Sequence, residues 1–222
     1  MVEIRVAKKL VGANAAPAAA VRGLLAEKRV LAINVLGSPG AGKTALLEAL
    51  ASRLRGSLRI GVIEGDLETA RDAERMERAG VKALQITTGR GCHLNAAMVL
   101  DALSAFDLGA LDLLFVENVG NLVCPADRDL GEDFRLLVAS VTEGDDKAAK
   151  YPPMFASAHV LALNKTDLLP YVDFDPEKFL AEARSIRPSV EVFRVSCRSG
   201  EGVGALADRI AERVRAKRAG ER

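Results

Sequence analysis

The sequence is poor in the residues that mark disulfide-rich or membrane-spanning proteins. It has three cysteines, two histidines and no tryptophan among 222 residues. An odd number of widely spaced cysteines does not make a disulfide framework and suits a reducing compartment, so we expect a cytoplasmic protein. No apolar run approaches the ~20 residues that cross a bilayer. The apolar stretch after Lys8 and Lys9 is too short and too broken for a signal peptide.

Charge is nearly balanced, which removes another class of partner. Lysine and arginine number 31 against 30 aspartates and glutamates, so no excess field is available to hold nucleic acid or an anionic membrane. We expect neither as a partner, and the function must follow from local sites. A hydrophobic fraction of 49% and a charged fraction of 27% are typical of one α/β domain with a good core.

Apolar runs alternate with helical patterns from Val30 onward. The strand-like runs are Val30–Leu36, Leu58–Ile63, Lys82–Ile86, Leu111–Val116, Arg135–Thr142, His159–Asn164 and Glu191–Val195. Helical spacing is found over Lys43–Arg55, Ala70–Ala79, Leu94–Ala105, Pro176–Ile186 and Val203–Ala219. This alternation predicts an α/β fold of three αβα layers around a mainly parallel sheet of about seven strands.

The domain organisation follows from the same pattern. We assign residues 30–222 to one domain and residues 1–29 to an alanine-rich lead-in that is partly helical or flexible. Within it, Ala18–Lys28 is predicted to be helical, and Ala13–Ala20, which Pro17 interrupts, is the loosest segment. Polar motifs follow several strands of the domain, and ligands of open α/β sheets bind at the carboxyl ends of strands.

A complete P-loop follows the first strand of the domain. The order is apolar strand, Gly-Ser-Pro-Gly-Ala-Gly-Lys-Thr over residues 37–44, then helix, which is the context that this phosphate-binding motif requires. Lys43 is predicted to contact the β- and γ-phosphates, and the Thr44 hydroxyl to bind magnesium. A glycine-rich turn alone does not explain the Gly-Lys-Thr ending. The predicted nucleotide contacts are Gly37, Ser38, Gly40, Ala41, Gly42, Lys43 and Thr44.

The residues from Asn164 to Asp167 have the pattern NKxD that guanine-nucleotide-binding GTPases use. A carboxylate such as Asp167 can accept N1–H and N2–H of guanine, and adenine offers no such pair. Asn164 would brace the loop or meet the base, and the Lys165 stem would cover the ring. Alone, the pattern could be an ordinary strand exit, but the P-loop upstream favours guanine.

The end of the last predicted strand gives a weaker indication of guanine binding. Ser196 and Cys197 resemble the SAK element that lines the guanine pocket of the same GTPases, with cysteine where alanine is usual. We interpret Cys197 as a small buried residue beside the base.

Acidic residues follow two other predicted strands. Glu117 and Gly120 stand where Ras-like GTPases have DxxG, whose acid holds magnesium and whose glycine amide contacts the γ-phosphate; glutamate is a departure from that pattern. Asp66 is predicted to hold magnesium through water or to orient water, with a solvated loop acid as the alternative. The predicted catalytic residues are Lys43, Thr44, Asp66 and Glu117, of which Thr44, Asp66 and Glu117 would bind magnesium. No glutamine is obviously placed to orient water, so slow turnover is expected.

A second group of residues, two cysteines and a histidine, has side chains that suit a metal other than magnesium. Cys92 and His93 join the third strand to its helix, and Cys124 lies four residues beyond Gly120. Thiolate and imidazole are ligands for zinc or nickel. Three ligands leave a tetrahedral site one short, or allow two copies to share a metal. The alternative is that these are core cysteines; His159 is interpreted as structural.

Together these segments resemble one known family. The stretches GSPGAGKT (37–44), IEGDLETARDAER (63–75), TTGRGCHLNAAMV (87–99), FVENVGNLVCPADRDLGED (115–133), SVTEGDDKAAKYPPMF (140–155) and NKTDLLPYVDFD (164–175) are similar to those of the HypB family. HypB proteins are GTPases that help deliver nickel during maturation of nickel–iron hydrogenase. The pairing of ENVGNLVCP with GCHL is highly specific to them.

The resemblance implies a fold, cofactors and partners. It implies the dimerising SIMIBI branch of P-loop GTPases, GTP with Mg²⁺, and a Ni²⁺ or Zn²⁺ site on Cys92, His93 and Cys124 at the interface of a homodimer. Other hydrogenase maturation proteins and the hydrogenase large subunit are the implied partners. Lys147 or Lys150 would reach the nucleotide of the other subunit. Residues 1–29 lack the Cys or His tracts of some members, so no separate nickel site is expected there.

Three other functions remain open from the sequence. The first is a metal-binding scaffold whose nucleotide site only stabilises the fold. The second is a related nickel GTPase for urease or a chaperone of cobalamin enzymes, although urease GTPases usually carry a CPH triplet. The third is a small-molecule kinase, for which the NKxD pattern has no purpose.

Overall fold

The computed structural model describes residues 3–4, 14–66, 76, 80–89 and 91–220, with only the backbone described for residues 3, 4 and 66. Its strands are β1 (Glu3–Ile4), β2 (Leu31–Leu36), β3 (Ile60–Asp66), β4 (Lys82–Thr87), β5 (Leu113–Glu117), β6 (Phe134–Ser140), β7 (Val160–Asn164) and β8 (Glu191–Arg194). They form one sheet in the order β1-β4-β3-β5-β2-β6-β7-β8. Each adjacent pair is parallel.

Helices cover both faces of the sheet. They are α1 (Ala15–Glu27), α2 (Lys43–Leu54), α3 (Ala96–Leu103), α4 (Lys147–Lys150), α5 (Pro152–Ser157), α6 (Pro176–Ile186) and α7 (Val203–Ala219). Helices α2 and α7 pack on one face, and α1, α3 and the segment from α4 to α6 pack on the other. The predicted three-layer α/β fold is confirmed, with eight strands instead of about seven because β1 joins the sheet edge.

Several boundaries differ from the predicted ones for local reasons. Helix α1 already begins at Ala15, where the sequence predicted a loose segment, because Pro17 lies in the first turn and needs no hydrogen-bonded amide there. Helix α3 begins at Ala96, two residues later than predicted, because the Asn95 side chain caps it by accepting the Met98 amide at 3.0 Å. The predicted helix Ala70–Ala79 lies outside the described residues except for Met76, whose side chain is buried.

The sheet brings the polar motifs to one edge. Strand β2 lies between β5 and β6, and all six of its residues are buried. The loops after β2, β4, β5 and β7 leave the carboxyl ends of parallel strands, so they meet above the same edge. Within the described ranges, no helix has the length and apolarity needed to cross a bilayer.

Candidate functional site

The P-loop adopts a conformation that only glycine tolerates at two of its positions. Gly37 has a φ of 150° and Gly42 a φ of 94°. A Cβ at Gly37 would lie 2.4 Å from the Val138 carbonyl oxygen, and one at Gly42 would lie 2.4 Å from the Asn164 amide nitrogen. The loop therefore packs tightly against β6 and the end of β7.

Lys43 begins α2, and its side chain folds back into the loop. It is buried, and its ammonium donates to the Ser38 carbonyl at 3.2 Å. The loop thus encloses a positive charge at a helix N-terminus, which is the arrangement that receives a phosphate. The Ser38 hydroxyl donates to a carboxylate oxygen of Glu143, whose other oxygen accepts the Ser140 amide at 3.2 Å. The sequence pattern gave Glu143 no contact, because an acid directly after a predicted strand is not distinctive.

Thr44 and Glu117 meet beneath the P-loop. The Thr44 hydroxyl donates to the Glu117 carboxylate at 2.9 Å, and both side chains are buried. A hydroxyl and a carboxylate oxygen are the hard ligands that Mg²⁺ prefers, so this pair fits that ion. Glu64 is aligned with Glu117 on the neighbouring strand. Asp66 ends β3, and its side chain lies outside the described ones.

The segment after β5 touches the P-loop directly. A Cβ at Gly120 would lie 2.9 Å from the Pro39 nitrogen, so only glycine fits here. The next residue, Asn121, donates its amide to the Gly37 carbonyl at 3.1 Å. The segment from Glu117 to Asn121 therefore packs along one side of the P-loop.

The NKxD segment braces the P-loop from the opposite side. The Asn164 amide donates to the Ala41 carbonyl at 3.0 Å, and the Lys165 ammonium donates to the Gly40 carbonyl at 2.7 Å. Of the two roles expected for Asn164, the contact present is the bracing one. Lys165 itself has a φ of 62°, a conformation that non-glycine residues rarely adopt.

The carboxyl end of β7 also meets the loop after β8. The Ser196 hydroxyl donates to the Asp167 carboxylate at 2.6 Å. The Cys197 thiol donates to the Asn164 side-chain oxygen at 3.3 Å, and burial raises the pKa of that thiol. These contacts gather Asn164, Asp167, Ser196 and Cys197 into one polar pocket. A carboxylate positioned in this way can accept two donors from a base edge.

Two cysteines and a histidine form a separate cluster. One ligand atom each from Cys92, His93 and Cys124 lies within 4.8 Å of the others, and among the described residues this is the one group of three or more potential metal-ligating side chains. The distance from Cys92 Sγ to His93 Nδ1 is 3.4 Å. The two neighbours in sequence converge because they lie in the loop before α3 and not on the helix. Two sulfurs and one nitrogen fit zinc or nickel.

The surroundings of the cluster shift two pKa values. A hydrogen bond with the Cys124 side chain raises the pKa of the Cys92 thiol, and burial adds to the effect. Burial lowers the pKa of His93, and the positive charge of Arg128 lowers it further. Both effects favour the neutral form of His93, whose lone pair can bind a metal, whereas the thiols must lose protons to bind one.

Two buried or half-buried asparagines join the cluster to the phosphate site. The Asn118 side-chain oxygen accepts the Leu94 amide at 3.0 Å, while its backbone amide donates to the Val35 carbonyl at 2.9 Å. The Asn121 side-chain oxygen accepts the Cys124 amide at 3.2 Å. Both asparagines stand in the stretch FVENVGNLVCPADRDLGED, whose pattern predicted a contact for neither. Asn118 directly follows the buried strand β5, which is a sequence signal, and Asn121 lies three residues further along the same loop.

A half-buried ion pair packs behind the loop that carries Cys124. Arg135 donates to the Glu132 carboxylate at 2.7 Å, and to the Ala126 and Arg128 carbonyls at 2.6 and 2.8 Å. The Asn34 amide lies 3.4 Å from the same carboxylate. A fully buried asparagine inside the apolar run of β2 was the sequence signal for this brace.

The remaining predicted residues have local contacts. Lys150 pairs with Asp146, and the Lys147 ammonium lies 5.5 Å from the Tyr151 ring centre. His159 accepts the Arg135 backbone amide at 3.1 Å through Nδ1, a contact that suits a structural residue.

Comparison with known proteins agrees with this arrangement. A family model described as "CobW/HypB/UreG, nucleotide-binding domain" matches residues 31–194. The hydrogenase maturation factor HypB of Escherichia coli K12 is 50% identical over 182 residues, which cover 82% of this chain and 63% of that protein. The solved structure of the hydrogenase maturation factor HypB from Archaeoglobus fulgidus is 39% identical, with a TM-score of 0.85 over 90% of this chain and 98% of the other. This chain belongs to the HypB family.

A second HypB structure carries a metal. HypB from Helicobacter pylori, solved in complex with nickel, is 35% identical, with a TM-score of 0.86 over 94% of this chain and 97% of that one. The fold of this HypB family member is thus that of two solved relatives along nearly their whole length. The chain spans 63% of the length of the E. coli relative.

Proposed function

We propose that this chain binds and hydrolyses GTP and helps deliver nickel during maturation of nickel–iron hydrogenase. Membership of the HypB family supports the process, and the nickel bound to the H. pylori relative supports the cargo. The observation that carries the proposal is the pair of Asn121 hydrogen bonds, one to Gly37 of the P-loop and one to Cys124 of the cluster. A metallochaperone driven by nucleotide needs such a connection.

The nucleotide end of the site supplies positioning and charge. In this proposal the amides of residues 37–44 surround the phosphates, Lys43 neutralises the β- and γ-phosphates, and Gly120 borders the γ-phosphate. Thr44 and Glu117, with Asp66, would hold Mg²⁺, which spreads the charge that develops on the phosphate oxygens when bound. A water attacks the γ-phosphorus, and the bond to the bridging oxygen of GDP breaks. No glutamine orients this water, so turnover stays below about 1 s⁻¹.

The part of the site that contacts the base selects guanine over adenine. Asp167, oriented by Ser196 at 2.6 Å, accepts the two guanine N–H donors. Asn164 and Lys165 fix the loop beside the base, and Cys197 fills the space where a larger residue would intrude. Adenine would leave the half-buried Asp167 carboxylate without the two donors that guanine supplies, which costs adenine roughly 1–3 kcal/mol.

Nickel is the cargo of the second site, and zinc competes for the same ligands. Cys92, His93 and Cys124 contact the metal, and the thiols lose their protons on binding. Loss of the γ-phosphate changes the contacts of Gly120 and Asn121, and the Cys124 amide follows because it donates to Asn121. Linkage then requires that nickel also change the affinity for each nucleotide.

Three ligands from one chain leave the metal open to a further ligand. We propose that a second copy completes the site in a homodimer formed with GTP, with Lys147 or Lys150 reaching the other subunit's nucleotide. An open position also lets an acceptor enter, and other hydrogenase maturation proteins and the hydrogenase large subunit are the expected acceptors in the cytoplasm.

Phosphate release and sedimentation test this function. Lys43→Ala should abolish phosphate release from GTP, whereas Lys82→Ala, at the amino end of β4 away from the P-loop, should leave it unchanged. Sedimentation with nickel and a non-hydrolysable GTP analogue should show a dimer that Cys92→Ala weakens. Equal release by wild type and Lys43→Ala would favour a scaffold, and a monomer under all conditions would refute the shared site.

A further inference from the structure

Asn14 contacts the start of α3, directly after the Cys92–His93 loop, and the loop that follows Cys124. Its side-chain oxygen accepts the Ala96 amide at 2.9 Å, and its side-chain nitrogen donates to the Asp129 carbonyl at 2.5 Å. Ala96 begins α3 directly after the loop of Cys92 and His93, and Asp129 lies in the loop that follows Cys124. One side chain therefore links two segments that are distant in sequence.

This use of Asn14 is unusual for its position. It precedes the first residue of α1, where an asparagine side chain normally accepts an amide of its own helix. It makes no such bond. Its side-chain oxygen and nitrogen instead bond to Ala96 and Asp129, which are distant in sequence. Helix α1 therefore lacks a side-chain cap at this position.

Helix α1 provides a firm base for that contact. Arg22 donates to both Asp129 carboxylate oxygens at 2.7 and 2.8 Å, and a Cβ at Gly131 would lie 2.6 Å from the Ala18 carbonyl. Val21 and Leu25 are buried against the sheet. The end of the Cys124 loop is thus packed on α1, and Asn14 connects it to the start of α3.

We propose that Asn14 is a positioning residue for the cysteine–histidine cluster. By holding the loop of Cys92 and His93 beside the loop of Cys124, it keeps the three ligand atoms within reach of one ion. Metal affinity depends on such preorganisation, and residues behind the ligands typically contribute about tenfold or more to it. The effect of Asn14 on metal affinity rests on the proposed function. Its effect on the distance between the two loops does not.

Two variants of Asn14 and one matched control separate positioning from helix capping. Asn14→Ala removes both contacts. Asn14→Asp keeps an acceptor for the Ala96 amide but brings a carboxylate oxygen against the Asp129 carbonyl, so it breaks only the link between loops. Asn95→Ala removes the side-chain cap at the Met98 amide of the same helix and leaves the link intact.

The first measurement needs no metal. Diamide oxidises the Cys92 and Cys124 thiols to a disulfide and is itself reduced to the hydrazine, so the rate of cross-linking in the full chain, followed by peptide mapping, reports how often the two loops meet. We expect severalfold slower cross-linking in both Asn14 variants than in wild type and Asn95→Ala. Should Asn14→Ala fail to fold, Asn14→Asp, which keeps the acceptor for the Ala96 amide, carries the comparison. Unchanged cross-linking in the folded Asn14 variants, or equal slowing by Asn95→Ala, would overturn the proposal.

The second measurement uses cobalt as a spectroscopic probe. Co²⁺ bound by two thiolates and an imidazole has charge-transfer and ligand-field bands that report geometry. The dissociation constant for Co²⁺ should rise roughly tenfold in both Asn14 variants with altered bands, and remain unchanged in Asn95→Ala. Wild-type affinity and bands in the Asn14 variants would contradict the proposal. If the wild type itself binds no Co²⁺ or Ni²⁺, the proposed cargo site fails, and the cross-linking rate alone decides on Asn14.

Discussion

At the scale of single residues, side-chain amides hold the region together. Asn14 and Asn164 each donate to a carbonyl in one segment and accept an amide from another. Asn118 accepts the Leu94 amide at 3.0 Å, and its nitrogen lies 3.4 Å from the Asn34 oxygen. An ionised carboxylate has no donor, so aspartate does not replace asparagine at these positions. The geometry of the site thus depends on residues that take no part in its chemistry.

The pKa of His159 gives a prediction at this scale. Burial lowers it first, and the charges of Arg187, Arg135 and Arg213 lower it further, against Glu132. As pH falls below the ordinary value near 6.5, the unfolded chain gains a proton that the folded chain does not. The free energy of unfolding therefore decreases with falling pH until the folded-state pKa is reached, and is unaffected well above pH 6.5.

Urea unfolding at pH 7.5 and 5.5 checks this sign. His159→Asn keeps an acceptor for the Arg135 amide without a titrating ring, so it should lose less stability between the two pH values than the wild type does. An equal loss in both proteins, or an NMR titration midpoint of His159 at or above 6.5, would contradict the assignment.

At the scale of elements, the P-loop places strict demands on its backbone conformation. Gly40 and Gly42 both have positive φ, at 78° and 94°. A Cβ at Gly40 would have no neighbour within 4 Å, whereas one at Gly42 would meet the Asn164 amide nitrogen. The two glycines therefore form a matched pair in which one position carries backbone strain alone and the other adds a steric clash.

Alanine at these two positions should separate the costs. Without nucleotide, Gly40→Ala should lower the free energy of unfolding by about 1 kcal/mol, the cost of the left-handed conformation. Gly42→Ala should cost ~2 kcal/mol more, because it also displaces Asn164 from the Ala41 carbonyl. Denaturant titration measures both. Equal costs would mean that Asn164 moves away freely and does not brace the loop.

The strands and helices also show which features could be predicted from the sequence and which could not. Each strand of the domain was predicted, because buried parallel strands are continuous apolar runs such as β2. The start of α1 was not predicted. A proline such as Pro17 indicates the interruption of a helix unless it is known to lie in the first turn. The residues to which we assign chemistry, such as Lys43, Thr44, Asp167 and Cys92, stand in motifs. Braces such as Glu143 and Arg135 depend on which loops meet in space, which no local pattern encodes.

At the scale of the whole molecule, the sheet sets the distance between the two sites. The P-loop follows β2, the segment from Glu117 to Cys124 follows the adjacent β5, and Cys92 follows β4. The phosphate site and the cysteine–histidine cluster are therefore neighbours along one edge, with Asn118 and Asn121 between them. We therefore expect a change at either site to alter contacts that the other site shares.

The most direct test of this coupling is the nickel affinity of the wild-type chain in two nucleotide states. The dissociation constant for Ni²⁺ is measured with Mg²⁺ and either GDP or a non-hydrolysable GTP analogue, with Asn121→Ala for comparison. The account predicts that the nickel dissociation constants in the two states differ by about fivefold or more, a coupling of about 1 kcal/mol. Asn121→Ala should make this difference smaller. The same nickel affinity in both states of the wild type would contradict it.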